Sequence, residues 1–312
     1  MMRKRVIITG AAGFTGKYMV NELVQHGYEV IGTYHNKIYE DGAIDCRWYK
    51  IDMTDCSQCN IMLQDLEPEA VIHLAARNNM VYAQKNPAET IHTNMTVTVN
   101  LLDAVRQFAP ECRVILAGSA AVYKEDSAGR ELTEGMDTEP QNAYALTKVF
   151  QEKLACFYGK MYNMKVLCTR PFNYTGAGQE ENCFIPSLCR QVSNIANGQA
   201  DAVIRMGNIS VQRDFSDVRD VVCAYRMLLE ADDASGIYNI CSGNAVRLED
   251  IVKYVCSKSN RIIRVEQDSN LCRANDAACI CGNNRSLKKD TGWIPRYNIF
   301  DTIDWIYGQM QA

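Results

Sequence analysis

The chain has no long apolar run. Its opening segment, MMRKRVIITG, is apolar without interruption only from Val6 to Ile8, far short of a membrane span or the apolar core of an export signal. That segment reads as the first strand of a cytosolic protein. Charge of one sign is also missing: 33 basic residues face 37 acidic ones across 312 positions, so no overall field draws nucleic acid or acidic lipid. An anionic ligand must then be held locally, by a few arginines or by a helix N-terminus. Fourteen cysteines are scattered along the chain with no secretory signal, which argues for reduced thiols rather than a disulfide framework. Cys56 and Cys59 form a CxxC, and Cys279 and Cys281 lie close together, but no second CxxC or clustered histidine completes a zinc set. No metal is expected. Internal repeats, low-complexity tracts and flexible linkers are absent as well. With 47% hydrophobic residues, what remains is a globular chain of one large domain or two intimate ones.

What is present is an alternation. Short β-branched runs at Arg5–Thr9, Glu29–Tyr34, Arg47–Ile51, Ala70–Leu74, Arg113–Ala117 and Lys165–Thr169 are separated mostly by segments of helical length. This βαβ pattern predicts an α/β fold, a doubly wound parallel sheet covered on both faces. After Pro171 the texture changes, because Gly176, Gly178, Pro186, Gly198 and Gly207 break the chain often. The expected division is a dinucleotide-binding domain over residues 1–170, with a return of about 214–242. A smaller α/β substrate-binding region would cover 171–213 and 243–312. Val218–Glu230 reads as a helix and Gly236–Ile240 as a strand able to rejoin the sheet.

In VIITGAAGFTGKYMV, Gly10, Gly13 and Gly16 stand three apart between a strand and a helical run from Phe14 to His26. Such spacing permits a tight turn, a close approach of backbone N–H groups to a pyrophosphate, and close packing of helix on strand. A turn that merely packs is the alternative. At the end of the second strand, where a carboxylate would hydrogen-bond an adenosine ribose and repel a 2′-phosphate, the chain has Tyr34, His35, Asn36 and Lys37. No acid and a nearby cation favour NADP over NAD, with NAD(H) possible; a solvated Lys37 is the competing reading.

NAYALTKVFQ places Tyr144 and Lys148 at i and i+4, on one face of a helix. A free phenol has a pKa of ~10. An ammonium at about 4 Å, at an effective dielectric of 20, favours the phenolate by up to ~4 kcal/mol, roughly three pKa units. The spacing thus predicts a tyrosine made usable as acid or base, unless both side chains are simply solvated.

The turn TGAAGFTG, IDM at Ile51–Met53, VIHLAA at Val71–Ala76, GSAAVY at Gly118–Tyr123 and YxxxK at Tyr144–Lys148 together resemble the extended short-chain dehydrogenase/reductase family over nearly the whole chain. The resemblance implies a dinucleotide held by Gly10, Gly13, Phe14, Thr15 and Gly16, by Asp52 and Met53 at the adenine, and by Leu74, Ala75 and Ala76. It makes Ser119, Tyr144 and Lys148 catalytic. Ser119 would bind the reacting sugar oxygen, and Lys148 would also grip the nicotinamide ribose. TRPFNYTGAGQ (Thr169–Gln179), MGNISVQRDFSDVRDVVCAY and GIYNICSG resemble the GDP-6-deoxy-mannose reductases and GDP-mannose dehydratases of this family. That likeness implies substrate contacts by Asn173, Arg213, Arg273 and Asp276. A guanidinium suits a diphosphate because its fork matches two oxygens. Asp214 and Asp217 read as strand-edge or N-cap charges.

Dehydratases of the family carry an acid and a base at the two places after the serine. Here these are Ala120 and Ala121, and a methyl group cannot move a proton. The expected activity is NAD(P)H-dependent reduction at C4 of a nucleotide-linked 4-keto-6-deoxy sugar, GDP-4-keto-6-deoxy-D-mannose to GDP-D-rhamnose. The alternative is a 4-epimerase of the UDP-glucose type with tightly bound NAD. A non-catalytic nucleotide sensor would lack the tyrosine or the lysine. Relatives commonly pair through helices corresponding to Pro87–Phe108 and Ala143–Tyr162, so a homodimer is expected, though those faces equally suit packing on the sheet.

Overall fold

A computed structural model describes residues 4–36, 46–124, 129–272 and 277–311. Seven parallel strands form one sheet in the order β10-β6-β5-β4-β1-β2-β3. They are β1 (Arg5–Thr9), β2 (Glu29–Tyr34), β3 (Arg47–Lys50), β4 (Ala70–His73), β5 (Arg113–Ala117), β6 (Val166–Pro171) and β10 (Gly236–Ile240). The six early strands and the returning strand all match the expected runs to within two residues at either end.

Alternation along each strand decides which layer a residue joins. Val6 and Ile8 of β1 pack with α1 (Phe14–Gln25) and α7 (Val218–Glu230), while Ile7 packs with α2 (Cys56–Leu66), α4 (Pro87–Phe108) and α5 (Ala143–Tyr162). A strand buried on both faces is apolar on consecutive positions, which is why Val6, Ile7 and Ile8 show no polar alternation. Each fully buried Val, Leu or Ile contributes roughly 1.5–3 kcal/mol relative to exposure. Local chemistry sets the helix ends. Asp55 caps α2 by accepting from the N–H groups of Ser57 and Gln58, Pro87 opens α4, and Asn142 caps α5 through the N–H of Ala145.

Strand β1 lies between β2 and β4, so the chain winds outward in both directions from that pair of edges and leaves a crevice at their carboxyl ends. Over that crevice sits a second layer. Its main sheet joins β7 (Asn173–Thr175), β9 (Gln212–Asp217), β11 (Ala245–Arg247) and β13 (Cys279–Ile280), and a separate pair joins β8 (Val203–Met206) to β12 (Arg264–Gln267). The helices α6 (Phe184–Ala196), α8 (Leu248–Cys256) and α10 (Ile299–Gln311) bury their own core there. Two short helices complete the set, α3 (Met80–Lys85) before α4 and α9 (Arg285–Thr291) against β10. No helix among the described residues is long and apolar enough to cross a membrane.

Candidate active site

The β1–α1 turn is built by backbone fit. Gly10 has φ +69°, and a Cβ there would lie 2.9 Å from both Cα and N of Ala75. A Cβ on Gly16 would meet Ala11 at 2.5 Å, whereas one on Gly13 meets only the Gly10 carbonyl at 3.3 Å. Gly10 and Gly16 are therefore fixed by the fold and Gly13 is not. No side chain caps the first turn of α1, so its N–H groups face the crevice as donors for an anion. Leu74, Ala75 and Ala76 follow β4 directly opposite; the Thr9 hydroxyl accepts from the Ala75 N–H at 3.2 Å and bonds His73 Nδ1 at 2.8 Å. Phe14 stacks on Tyr174 at 6.4 Å, and the Thr15 and Tyr174 hydroxyls lie 2.8 Å apart. Both helix residues thus tie the turn to the second layer.

At the carboxyl ends of β2 and β3 a cavity of about 380 Å³ is lined by His35, Asn36, Lys50, Ile51, Asp52 and Gln58. Three of these, His35, Asn36 and Asp52, were expected from the sequence; Lys50, Ile51 and Gln58 were not. Register explains Lys50, which pairs beside Tyr34 across the parallel strands. Asp52 accepts from the N–H and hydroxyl of Thr54, which hold its carboxyl below the ordinary range, and His35 Nε2 lies 3.8 Å from it. Tyr34 packs edge-on against Trp48. Met53 turns its side chain into the core. Lys37 lies outside the described residues. The glycine turn and the uncapped start of α1 offer backbone donors for an anion, and this cavity lies at the carboxyl ends of the neighbouring strands β2 and β3.

Ser119, Tyr144 and Lys148 come together at the carboxyl end of β5. A Cβ on Gly118 would lie 2.1 Å from the Thr169 carbonyl, so only glycine lets the chain turn there and present Ser119. The Ser119 hydroxyl accepts from the Ala121 N–H at 3.1 Å and hydrogen-bonds Tyr144. The electrostatics differ from the expectation. Burial pushes the Tyr144 phenol up to about 12, outweighing the opposing bond from Ser119. Lys148 does not offset this, because its Nζ lies 5.7 Å from the Tyr144 ring centre and donates to the Ala117 carbonyl at 2.6 Å and to Gln151 Oε1 at 3.1 Å. Burial draws the Lys148 amine down to about 8. The phenol is thus held as a proton donor rather than as a phenolate. Tyr174 and Tyr225 lie near enough to act on Tyr144 electrostatically, a grouping that no sequence spacing revealed. Ala120 and Ala121 line the same turn and bring no proton-transfer group.

In the second layer, Asn173 is exposed at the start of β7. Arg213 is buried, its Nη1 donating to the carbonyls of Gln212 and Ala277 at 2.7 and 2.8 Å. Asp217 caps α7 through the Arg219 N–H. Arg273 and Asp276 lie outside the described residues. Among the described residues no cluster of three or more His, Cys, Asp or Glu side chains is placed to hold a metal ion, and Cys59 of the CxxC is buried in the core while Cys56 faces out.

The sequence pattern of the family described as GDP-mannose 4,6 dehydratase matches residues 7–305. A GDP-6-deoxy-D-mannose reductase of Pseudomonas aeruginosa is 28% identical over 310 residues, covering 97% of this chain and 98% of that one. A UDP-glucose 4-epimerase of Corynebacterium glutamicum is 26% identical, covering 96% and 93%. The solved structure of RMD from Pseudomonas aeruginosa complexed with NADPH superposes with a TM-score of 0.85 at 27% identity, covering 99% of this chain and all of the other.

Proposed function

The chain belongs to the GDP-mannose 4,6 dehydratase family, a group of NAD(P)-dependent nucleotide-sugar enzymes of the short-chain dehydrogenase/reductase type, and on that premise we propose that it is a 4-keto reductase. Its substrate would be a GDP-linked 4-keto-6-deoxy sugar, GDP-4-keto-6-deoxy-D-mannose, and its product GDP-D-rhamnose. The observation that carries this reading is that a buried Tyr144 phenol lies beside Ser119, while Ala120 and Ala121, which follow the serine, carry no proton-transfer group. A dehydratase must take one proton and deliver another during elimination; a reductase needs a single donor. Tyr144, kept protonated by burial, suits that task.

In this reading the bound dinucleotide supplies hydride to C4. Ser119 orients the C4 oxygen by hydrogen bonding. Tyr144 gives its phenolic proton to that oxygen, so a carbonyl becomes an alcohol with one hydride and one proton added. Lys148 gives two of its ammonium hydrogens to Ala117 and Gln151, and the third would serve a ribose hydroxyl of the cofactor. Positioned proton transfer of this kind is worth ~10²- to 10⁴-fold in rate. Gly10, Gly13, Phe14, Thr15 and Gly16 would cradle the diphosphate of the cofactor. His35, Asn36, Lys50 and Asp52 would surround its adenosine end, and Lys50 beside Tyr34, with no carboxylate at the end of β2 itself, supports NADPH. Asn173 and Arg213 would serve the nucleotide sugar from the second layer, and the resemblance adds Arg273 and Asp276 to that role; residues 1–170 with the return of about 214–242 would then be the cofactor half. The exposed Leu146, Phe157, Met161 and Tyr162 of α5 support a second copy of this chain against α4 and α5. The fourteen cysteines, all outside disulfides, suit work in a reducing cytoplasm.

A 4-epimerase is the second reading, favoured by the likeness to a UDP-glucose 4-epimerase, because oxidation followed by re-reduction uses the same serine, tyrosine and lysine. The two part on cofactor balance. Steady oxidation of added NADPH with GDP-4-keto-6-deoxy-D-mannose supports the reductase. Inversion of a nucleotide sugar at C4 with no net cofactor change would overturn it.

A further inference from the structure

We propose that Gln151 is a positioning residue for the active-site lysine: its amide oxygen, together with the Ala117 carbonyl, fixes the Lys148 ammonium beside Tyr144 and keeps it charged. The inference rests on the reading above, in which Lys148 serves a bound dinucleotide and a proton-donating tyrosine.

Both side chains are deeply buried, Lys148 at 5% exposure and Gln151 at 3%. A buried ammonium normally finds a carboxylate. Among the described residues none lies within ion-pair reach of Lys148. The titratable groups around it are Tyr144 on its own helix, His73 from β4 and Cys168 from β6. Burial keeps the phenol and the Cys168 thiol protonated and His73 neutral. Glu152, next in the chain, is bound at both oxygens by Arg170. Two neutral oxygens, those of Ala117 and Gln151, are therefore the groups that receive the ammonium hydrogens at 2.6 and 3.1 Å.

The amide orientation follows from chemistry. An ammonium has only donors, so Gln151 must face it with Oε1. That leaves Gln151 Nε2 buried with no partner among the described residues, an arrangement an apolar side chain of similar size would avoid. A glutamine held at that cost points to its oxygen as the useful atom. Three residues beyond Lys148 on the same helix, it sits one turn on and on the same face.

Replacing Gln151 by leucine removes one charge-assisted bond and should let the amine lose its proton at a pH about one to two units lower. Gln151→Glu keeps an oxygen there and adds a negative charge, so it should move the titration upward. Lysine side-chain NMR of the full-length protein follows this without cofactor or substrate, and thermal melting reports whether each variant is folded. NADPH binding, read by nucleotide fluorescence across the same pH range, should weaken at lower pH in Gln151→Leu and at higher pH in Gln151→Glu than in the unmodified protein. Superimposable Lys148 titrations in all three folded proteins would overturn the proposal. If the titrations move as expected but none of the three binds NADPH or NADH, the dehydrogenase reading fails while the lysine–glutamine coupling stands.

Discussion

Lys148 Nζ sits 5.7 Å from the centre of the Tyr144 ring, facing it across a buried gap while bonded to Ala117 and Gln151. At that separation the ammonium leaves the phenol in its protonated state, with burial holding it up at about 12. The pair is thus set for donation. Tyr144→Phe removes the proton and leaves the ring, the helix and the lysine in place. Turnover of the 4-keto sugar should fall by ~10²-fold or more, while NADPH affinity measured by fluorescence stays within a few-fold. Unchanged turnover would show that another group donates.

The glycine turn separates fold from ligand. Gly10→Ala meets two obstacles, a left-handed φ that costs roughly 1–2 kcal/mol for a residue with a Cβ, and Ala75 backbone atoms at 2.9 Å. Denaturant unfolding should show a loss of more than about 2 kcal/mol. Gly13→Ala has φ −77° and only a 3.3 Å contact to accommodate, so its stability should stay within about 1 kcal/mol of the parent. Dinucleotide binding should nevertheless weaken, since the new methyl group points where a diphosphate would approach. Equal stability losses in both variants would contradict this division.

These contrasts mark how far the sequence could be read. The parallel strands were legible because a strand buried on both faces is apolar through its middle, as at Val6–Ile8 of β1 and Ala70–Ile72 of β4. Tyr144 and Lys148 were legible because helix periodicity alone puts them on one face. Their electrostatics were not, since the phenol's state depends on burial, on the serine after β5 and on where Gln151 holds the ammonium, none of which spacing encodes. β9 was hidden for a different reason. Its sequence, QRDFSD, is polar, yet Asp214 is wholly buried, accepting from the N–H groups of Ser242, Gly243 and Gly282. Only the finished second layer supplies those partners. β13, two residues long, exists because β9 is there to pair with it. Lys50 was overlooked because its relevance comes from lying beside Tyr34 in the neighbouring strand.

Beneath the catalytic helix, Glu152 and Arg170 form a two-point ion pair at 2.7 and 2.8 Å with exposures of 6% and 3%. Arg170 also covers the Tyr123 ring at 4.6 Å and reaches the Glu134 carbonyl. Removing one partner strands the other charge in the interior. Glu152→Ala should therefore cost about 3–5 kcal/mol in denaturant unfolding. The double variant Glu152→Leu with Arg170→Met, which removes both charges at similar volume, should recover most of that loss. A double variant as unstable as the single one would show that packing, rather than an unpaired charge, sets the cost.

His73 gives the fold a pH dependence of definite sign. It is fully enclosed, bonded by Thr9 at 2.8 Å, and burial, with the nearby Lys148 charge adding to it, lowers its folded-state pKa to about 3. In the unfolded chain an imidazole titrates near ~6.5. Between those values the unfolded state carries a proton that the folded state does not, so stability falls as pH drops from about 6.5 toward 3 and changes no further from this group outside the window. The slope is at most about 1.4 kcal/mol per pH unit. His73→Gln cannot titrate, so the difference in unfolding free energy between parent and variant should narrow, or turn in the variant's favour, as pH is lowered through that window. Parallel stability curves for the two proteins across it would mean that His73 is protonated in the folded state after all, or that it contributes no proton linkage.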